Sequence, residues 1–258
     1  MAEITVGKAR ISYRTEGSGP PVVLVHGVGP GSLMWDGILD RLTGRNTVHL
    51  PDLSGSDSAS DDGAPLTVET LAGQVAAVIE DAGTGPADVV GFSLGAPTAA
   101  AVAALRPDLV RRLVVAAGWA HADDVYIQQL MALWLSIADS PEGFGRLGTV
   151  TSFARPHLNE IGNEAAEQSH GFMQPNDRRL RQLDLVRRVD VRSLLSRIEA
   201  PTLAIGCTRD LTIPVENHRE LSKLIAGSEY AELDTGHVAM FERPDEFVKL
   251  VQDFLARP

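Results

Sequence analysis

Cysteine is almost absent from this sequence. Cys207 is the only cysteine among 258 residues, so an intramolecular disulfide and a cysteine metal cluster are both excluded. Because this thiol follows the apolar run 203–206, we predict a small residue near the end of a strand rather than a nucleophile. We expect no metal and no cofactor.

Positive charge and long hydrophobic runs are also scarce. No run approaches the roughly 18 apolar residues of a membrane span, and residues 1–10 lack the hydrophobic region of a signal peptide. Acidic residues outnumber basic ones by 34 to 23, and the net charge of −11 argues against nucleic acid or an anionic membrane as partner. We therefore expect a cytoplasmic protein that acts on a small molecule, with its oligomeric state left open.

The sequence does contain a regular alternation of short apolar runs and helical patterns. The runs 21–25 and 88–92 are typical of buried parallel strands, and the segments 68–79 and 96–105 have helical spacing. Repeated units of this kind predict an α/β fold, with a mostly parallel sheet covered by helices on both faces. An opening hairpin is expected within residues 3–14.

The alternation is interrupted in the second half of the chain. From Trp119 to about Arg192 the spacing is mostly helical, and Asp123 is expected to cap the first of these helices. We predict a core formed by residues 1–118 and 193–258, and a helical lid formed by residues 119–192. The lid would cover the carboxyl ends of the strands, where ligands bind in such sheets.

The most informative motif is Gly91-Phe92-Ser93-Leu94-Gly95. It lies between a predicted strand and a predicted helix, as does the nucleophile elbow G-x-S-x-G. Side chains at the two glycine positions would collide with the neighbouring strand and helix. Ser93 is therefore the candidate nucleophile.

A serine hydroxyl needs a neighbouring base and an acid that orients the base. Asp210 follows the predicted strand 202–205, and His237 follows the predicted strand 229–233. Asp234 is the competing acid, although it is close to His237 in sequence. The remaining histidines are expected mostly at surface, lid or turn positions: 26, 49, 121, 157, 170 and 218.

An acyl-transfer site also needs backbone N–H groups that bind the developing oxyanion. One donor should be the N–H of Leu94, directly after the nucleophile. The second should come from the loop His26-Gly27-Val28-Gly29-Pro30-Gly31, for which we nominate the N–H of Val28. Met34 and Trp35, which follow this loop, are expected in the core.

These residues together give the chain a resemblance to the α/β-hydrolase superfamily over essentially its full length. The matching segments are His26-Gly27, Asp52 to Ser58, the Ser93 elbow, Asp210 and Gly236-His237. The resemblance implies an α/β-hydrolase fold and a Ser-Asp-His triad in that chain order. In the Asp52 loop, Ser54 stands where proline is common and Asp57 where a second glycine is common.

The loop His26 to Ser32 is similar to the H-G-x-G-P-G-A loop of meta-cleavage product hydrolases, which cut carbon–carbon bonds in ring-fission dienones. Val238 stands where those enzymes commonly have tryptophan. They hold a substrate carboxylate with an arginine, for which this chain offers Arg155, Arg178 and Arg179, each expected to be a solvated charge.

Three functions follow from these patterns. The first is a serine hydrolase acting on an ester, a lactone or an activated carbon–carbon bond in a small apolar or aromatic carbonyl compound. The second is a cofactor-free catalyst such as a perhydrolase, lyase or cyclase, and the third is a catalytically silent binding module. The predicted substrate contacts are Trp119, Met131, Trp134 and Val238.

Overall fold

An eight-stranded sheet forms the centre of the protein in the computed structural model, which describes residues 1–257. Its strands are β1 (Ala2–Val6), β2 (Ala9–Gly17), β3 (Pro21–Val25), β4 (Thr47–Pro51), β5 (Ala87–Phe92), β6 (Val110–Ala116), β7 (Thr202–Cys207) and β8 (Glu229–Leu233). They lie in the order β1-β2-β4-β3-β5-β6-β7-β8. β2 runs antiparallel to both of its neighbours, β1 and β4, and every other pair of adjacent strands within residues 1–257 is parallel. The predicted opening hairpin and mostly parallel sheet are confirmed.

Helices cover both faces of the sheet. They are α1 (Asp36–Thr43), α2 (Val68–Ala82), α3 (Gly95–Leu105), α4 (Val125–Ser136), α5 (Pro141–Ser152), α6 (Arg155–Ser169), α7 (Asp177–Val186), α8 (Arg192–Leu195), α9 (Val215–Leu224), α10 (Ala239–Glu242) and α11 (Pro244–Leu255). In β3, Val23 and Val25 belong to the apolar core beneath α2 and α3, whereas Val22 and Leu24 belong to the core beneath α1 and α11. Two covered faces explain why the strand runs are apolar throughout.

Among residues 1–257, no helix is both long enough and apolar enough to cross a bilayer.

The segment between β6 and β7 carries the helices α4 to α8. The cap of α4 differs from the prediction: Asp124, not Asp123, accepts the N–H groups of Tyr126 and Ile127. An N-cap must directly precede the first turn, and the helix begins one residue later than expected. Asp123 instead forms an ion pair with Arg192 at 3.0 Å.

The chain between β3 and α1 forms a tight turn. A 3₁₀ helix over Gly31–Trp35 directly precedes α1. Oδ1 of Asp52 accepts the N–H of Ser32 at 2.7 Å. This bond fixes the loop after β3 to the loop after β4.

The parallel strands place the predicted site residues together. Ser93 follows β5, Asp210 follows β7, His237 follows β8, and Val28 follows β3. Since the carboxyl ends of parallel strands meet at one edge of a sheet, these four residues converge there.

Candidate active site

Ser93 lies in a strained turn between β5 and α3. Its φ angle is +54°, a region that residues other than glycine rarely adopt. A Cβ on Gly91 would lie 2.1 Å from the carbonyl oxygen of Gly95, and one on Gly95 would lie 2.2 Å from that of Val25. The two glycines therefore let the strand, the helix and β3 approach closely enough to present Ser93, as the elbow motif predicts.

Ser93, His237 and Asp210 form a chain of hydrogen bonds. A carboxylate only accepts, so Nδ1–H of His237 donates to Oδ2 of Asp210, at 2.6 Å. In the neutral ring with its proton on Nδ1, Nε2 of His237 accepts from the Ser93 hydroxyl at 2.8 Å. All three side chains are buried. The structure thus brings together the three residues that the sequence nominated.

The loop after β7 holds Asp210 from its other side. The N–H groups of Thr212 and Ile213 donate to Oδ1 of Asp210 at 2.7 and 2.9 Å. Asp234 is exposed and binds Arg209 at 2.5 and 2.7 Å, and these hydrogen bonds lower the pKa of Asp234 to about 2. The geometry therefore places Asp210, and not Asp234, against the catalytic histidine candidate.

Three other histidines are buried, and the two that lie in β4 and α9 do not occupy the surface, lid or turn positions expected for most of these residues. They are His26, His49 and His218. Nδ1 of His218 accepts the N–H of Cys207 at 3.1 Å, so its proton is on Nε2, which lies 3.5 Å from Oδ2 of Asp210. Burial lowers the pKa of His218 to about 4, and the ring is neutral at neutral pH.

The thiol of Cys207 is equally enclosed. It is buried at the end of β7, and burial raises its pKa far above the usual range of a cysteine. A protonated thiol is a poor nucleophile, which agrees with the expected packing role.

The two N–H groups predicted to form an oxyanion hole are unpaired. Within residues 1–257, neither the N–H of Val28 nor that of Leu94 has an acceptor. The loop after β3 approaches the elbow so closely that a Cβ on Gly27 would lie 2.8 Å from the Cβ of Ser93. Both donors are therefore available to a ligand oxygen beside the serine.

The residues around Val28 do have partners. Gly27 N–H donates to Sδ of Met34 at 3.4 Å, and Gly29 N–H donates to Oε1 of Gln182 at 3.1 Å. These bonds fix the peptides immediately before and after the one that carries the Val28 N–H. The sequence carries no signal for Gln182, because it lies 153 positions from Gly29 in a helix that is polar overall.

Ser93 and His237 lie on the wall of a cavity of about 400 Å³. Its walls are mainly apolar, and many of them come from the segment between β6 and β7. The four predicted substrate contacts all line it: Trp119, Met131, Trp134 and Val238. Met34 lines it as well and, like Trp35, is buried in the core, as expected.

The three candidate arginines differ in their surroundings. Arg155 and Arg178 are exposed, as predicted, but Arg179 is 3% exposed, borders the cavity and pairs with Asp57 at 3.0 Å. Burial lowers the pKa of Arg179. Asp57, which stands where glycine is common in this family, is therefore the counter-ion of the buried Arg179.

Comparison with known proteins identifies the family of this chain. Residues 22–250 match the family model described as the alpha/beta hydrolase family. The chain belongs to this family. The fold class predicted from the strand–helix pattern is thereby confirmed, and so is the enzymatic nature of this hydrolase.

Three relatives span the length of this hydrolase. It is 36% identical to the pyrrolizixenacetamide deacetylase of Xenorhabdus hominickii, over 99% of this chain and 98% of the relative. It is 30% identical to the pimeloyl-[acyl-carrier protein] methyl ester esterase of Methylococcus capsulatus, over 94% and 97%. The crystal structure of the enol-lactonase from Burkholderia xenovorans superposes with a TM-score of 0.88 at 24% identity, over 99% of this chain and 100% of that chain, which shows a shared fold.

Proposed function

We propose that this hydrolase uses Ser93 as nucleophile, His237 as general base and Asp210 as the acid that orients the base. The observation that carries the proposal is the hydrogen-bonded chain from Asp210 through His237 to Ser93, at 2.6 and 2.8 Å, on the wall of the apolar cavity. Burial of all three side chains supports it, because water would weaken these bonds.

In the first step, Oγ of Ser93 attacks the carbonyl carbon of the substrate. Nε2 of His237 takes the hydroxyl proton, and Asp210 stabilises the imidazolium that forms. The carbonyl oxygen becomes an oxyanion, which we assign to the N–H groups of Val28 and Leu94. Each such donor contributes roughly 3–4 kcal/mol to acyl transfer in comparable sites.

In the second step, the tetrahedral adduct collapses. The bond from the carbonyl carbon to the leaving oxygen or nitrogen breaks, and the leaving group takes the proton from Nε2 of His237. The acyl group remains as an ester of Ser93. Water, deprotonated by His237, then attacks this ester and releases the acid and the free serine.

The substrate class that we propose is a carboxylic ester or amide of a small, mainly apolar molecule. One relative is named a deacetylase and another a methyl ester esterase, so an acetyl group is the first acyl group to test. A cavity of about 400 Å³ is at the small end for a ligand site. We assign substrate contact to Trp119, Met131, Trp134 and Val238.

We further propose that residues 119–192 act as the lid of this cavity, over a core of residues 1–118 and 193–258. Helices α4, α5 and α7 supply much of its wall, including Met131, Gly148 and Leu183. In α6 the backbone is broken at Gly162 and no residue is buried. This helix is the element best suited to move when a substrate is admitted.

The proposal is tested by labelling with a fluorophosphonate and by turnover of matched esters and amides. The wild type should be labelled at Ser93, located by mass spectrometry, and Ser93→Ala should fold, lose the label and lose activity by several orders of magnitude. Heat-unfolded wild type controls for non-specific labelling. A folded Ser93→Ala variant with unchanged turnover would refute the assignment. Faster product formation with peroxide than with water would favour a perhydrolase.

A further inference from the structure

Gln182 connects the segment between β6 and β7 to the loop that carries the proposed oxyanion donor. It lies in α7 and is 1% exposed. Its Oε1 accepts the N–H of Gly29 at 3.1 Å. Because a backbone N–H can only donate, this bond also determines which way the side-chain amide faces.

The helix that carries Gln182 is firmly held on the core. Arg181 pairs with Asp61 at 2.8 Å, and Arg179 pairs with Asp57 at 3.0 Å. Both acids belong to the loop after β4. Gln182 therefore contacts the loop after β3 from a helix that two ion pairs hold on the core.

The backbone beside Gln182 is shaped to admit it. Gly55 has a φ angle of +89°, and a Cβ there would lie 2.7 Å from Cγ of Gln182. The glutamine stem thus packs against the core loop, and only a residue without a side chain fits at position 55.

We propose that Gln182 is a positioning residue that orients the oxyanion donor of this hydrolase. The inference rests on the proposed function, with Val28 N–H as a donor. The peptide bonded to Gln182 and the peptide that carries the Val28 N–H share the Cα atom of Val28, so a displacement of the first would also displace the second. Without Gln182, the buried N–H of Gly29 loses its acceptor, and the loop turns to satisfy it elsewhere.

The first test is Gln182→Met, which keeps an unbranched side chain of similar length and removes the acceptor. Loss of a whole oxyanion donor lowers kcat by about 100- to 1,000-fold, so its misorientation should lower kcat by about 10- to 100-fold. KM should change by less than about twofold, since the ground-state carbonyl needs the donor little.

Two variants separate positioning from general support of the helix. Arg181→Ala removes one of the two ion pairs that hold α7 on the core. The Arg179–Asp57 pair remains and Gln182 keeps its bond to Gly29, so kcat should change by less than about twofold. Gln182→Glu retains an acceptor oxygen of the same reach and should recover most of the activity lost in Gln182→Met. If Gln182→Met does not fold, Gln182→Asn takes its place, because its buried amide is one methylene too short to reach Gly29.

A trifluoromethyl ketone matched to the best ester gives a readout of the oxyanion hole itself. Oγ of Ser93 adds to the ketone carbonyl, and the adduct carries an oxyanion at the position that the oxyanion of the transition state would occupy. The inhibition constant of the ketone should therefore rise in Gln182→Met by the same factor as kcat falls. The corresponding trifluoromethyl alcohol should bind both proteins equally. An unchanged affinity of Gln182→Met for the ketone, or an equal loss of affinity in Arg181→Ala, would overturn this inference and leave the proposed function in place. A wild type that neither binds the ketone nor is labelled at Ser93 would reject the proposed function, and this inference with it.

Discussion

Asp210→Asn provides the sharpest test of the proposed mechanism, because the surrounding hydrogen bonds decide how an asparagine must sit. Oδ1 of Asp210 accepts two N–H groups, from Thr212 and Ile213, at 2.7 and 2.9 Å. The amide oxygen of Asn must stay on that side. Its NH₂ group then faces Nδ1 of His237 in place of Oδ2, which accepts at 2.6 Å. Two donors cannot bond, so the histidine must move its proton to Nε2 and can no longer accept from Ser93.

The magnitude follows from the alternative rotamer. Turning the amide oxygen toward His237 would leave the N–H groups of Thr212 and Ile213 without an acceptor, at about 1–3 kcal/mol each. The productive arrangement is therefore disfavoured by about 2–6 kcal/mol. At about 1.4 kcal/mol per tenfold, kcat should fall by about 30-fold to about 10⁴-fold, and the upper end agrees with the same change in another serine hydrolase triad.

The assay compares kcat of the wild type, Asp210→Asn and the matched control Asp234→Asn on one ester. The control removes an exposed carboxylate that, among residues 1–257, binds only Arg209 and Thr208, so its kcat should change by less than about twofold. Thermal melting confirms that each variant is folded. A folded Asp210→Asn variant with more than about a tenth of the wild-type kcat, or a larger loss in Asp234→Asn, would refute the reasoning.

Two further predictions concern the cavity wall and acid stability. Trp134 lines the cavity and stacks on Phe144 with ring centroids 6.0 Å apart. Trp134→Ala should therefore raise kcat/KM for long acyl esters relative to acetyl esters and cost about 3–5 kcal/mol of stability. An unchanged ranking of the esters by kcat/KM would assign Trp134 to packing alone. Burial lowers the pKa of His218 from 6.5 to about 4. Between these two pH values the imidazole is protonated in the unfolded chain and neutral in the folded protein. Through this residue the free energy of unfolding should therefore fall by about 3 kcal/mol as the pH drops from 6.5 to 4. Urea titrations at the two pH values should show a smaller fall for His218→Gln, and equal falls would contradict the burial of a neutral ring.

Much of this protein could be predicted from its sequence, because the relevant constraints are local. A buried parallel strand must be apolar throughout, and a serine between strand and helix needs glycine on either side, so β5 and the elbow at Ser93 are visible in consecutive residues. The order Ser93, Asp210, His237 is readable for the same reason, since each residue follows a recognisable strand. The first turn of α4 was misplaced by one residue because neighbouring aspartates carry equal capping potential.

Other features were decided only by the tertiary structure, because they depend on contacts between residues far apart in the chain. The sequence left Asp234 open as the acid; folding puts Asp210 against His237 and leaves Asp234 in solvent with Arg209. Nothing local marks Gln182, since its partner Gly29 is 153 residues away and any polar side chain suits a polar helix. The sequence by itself therefore determines which residue types are available at the strand ends, and the packing of α7 and the strand loops determines which of their atoms meet.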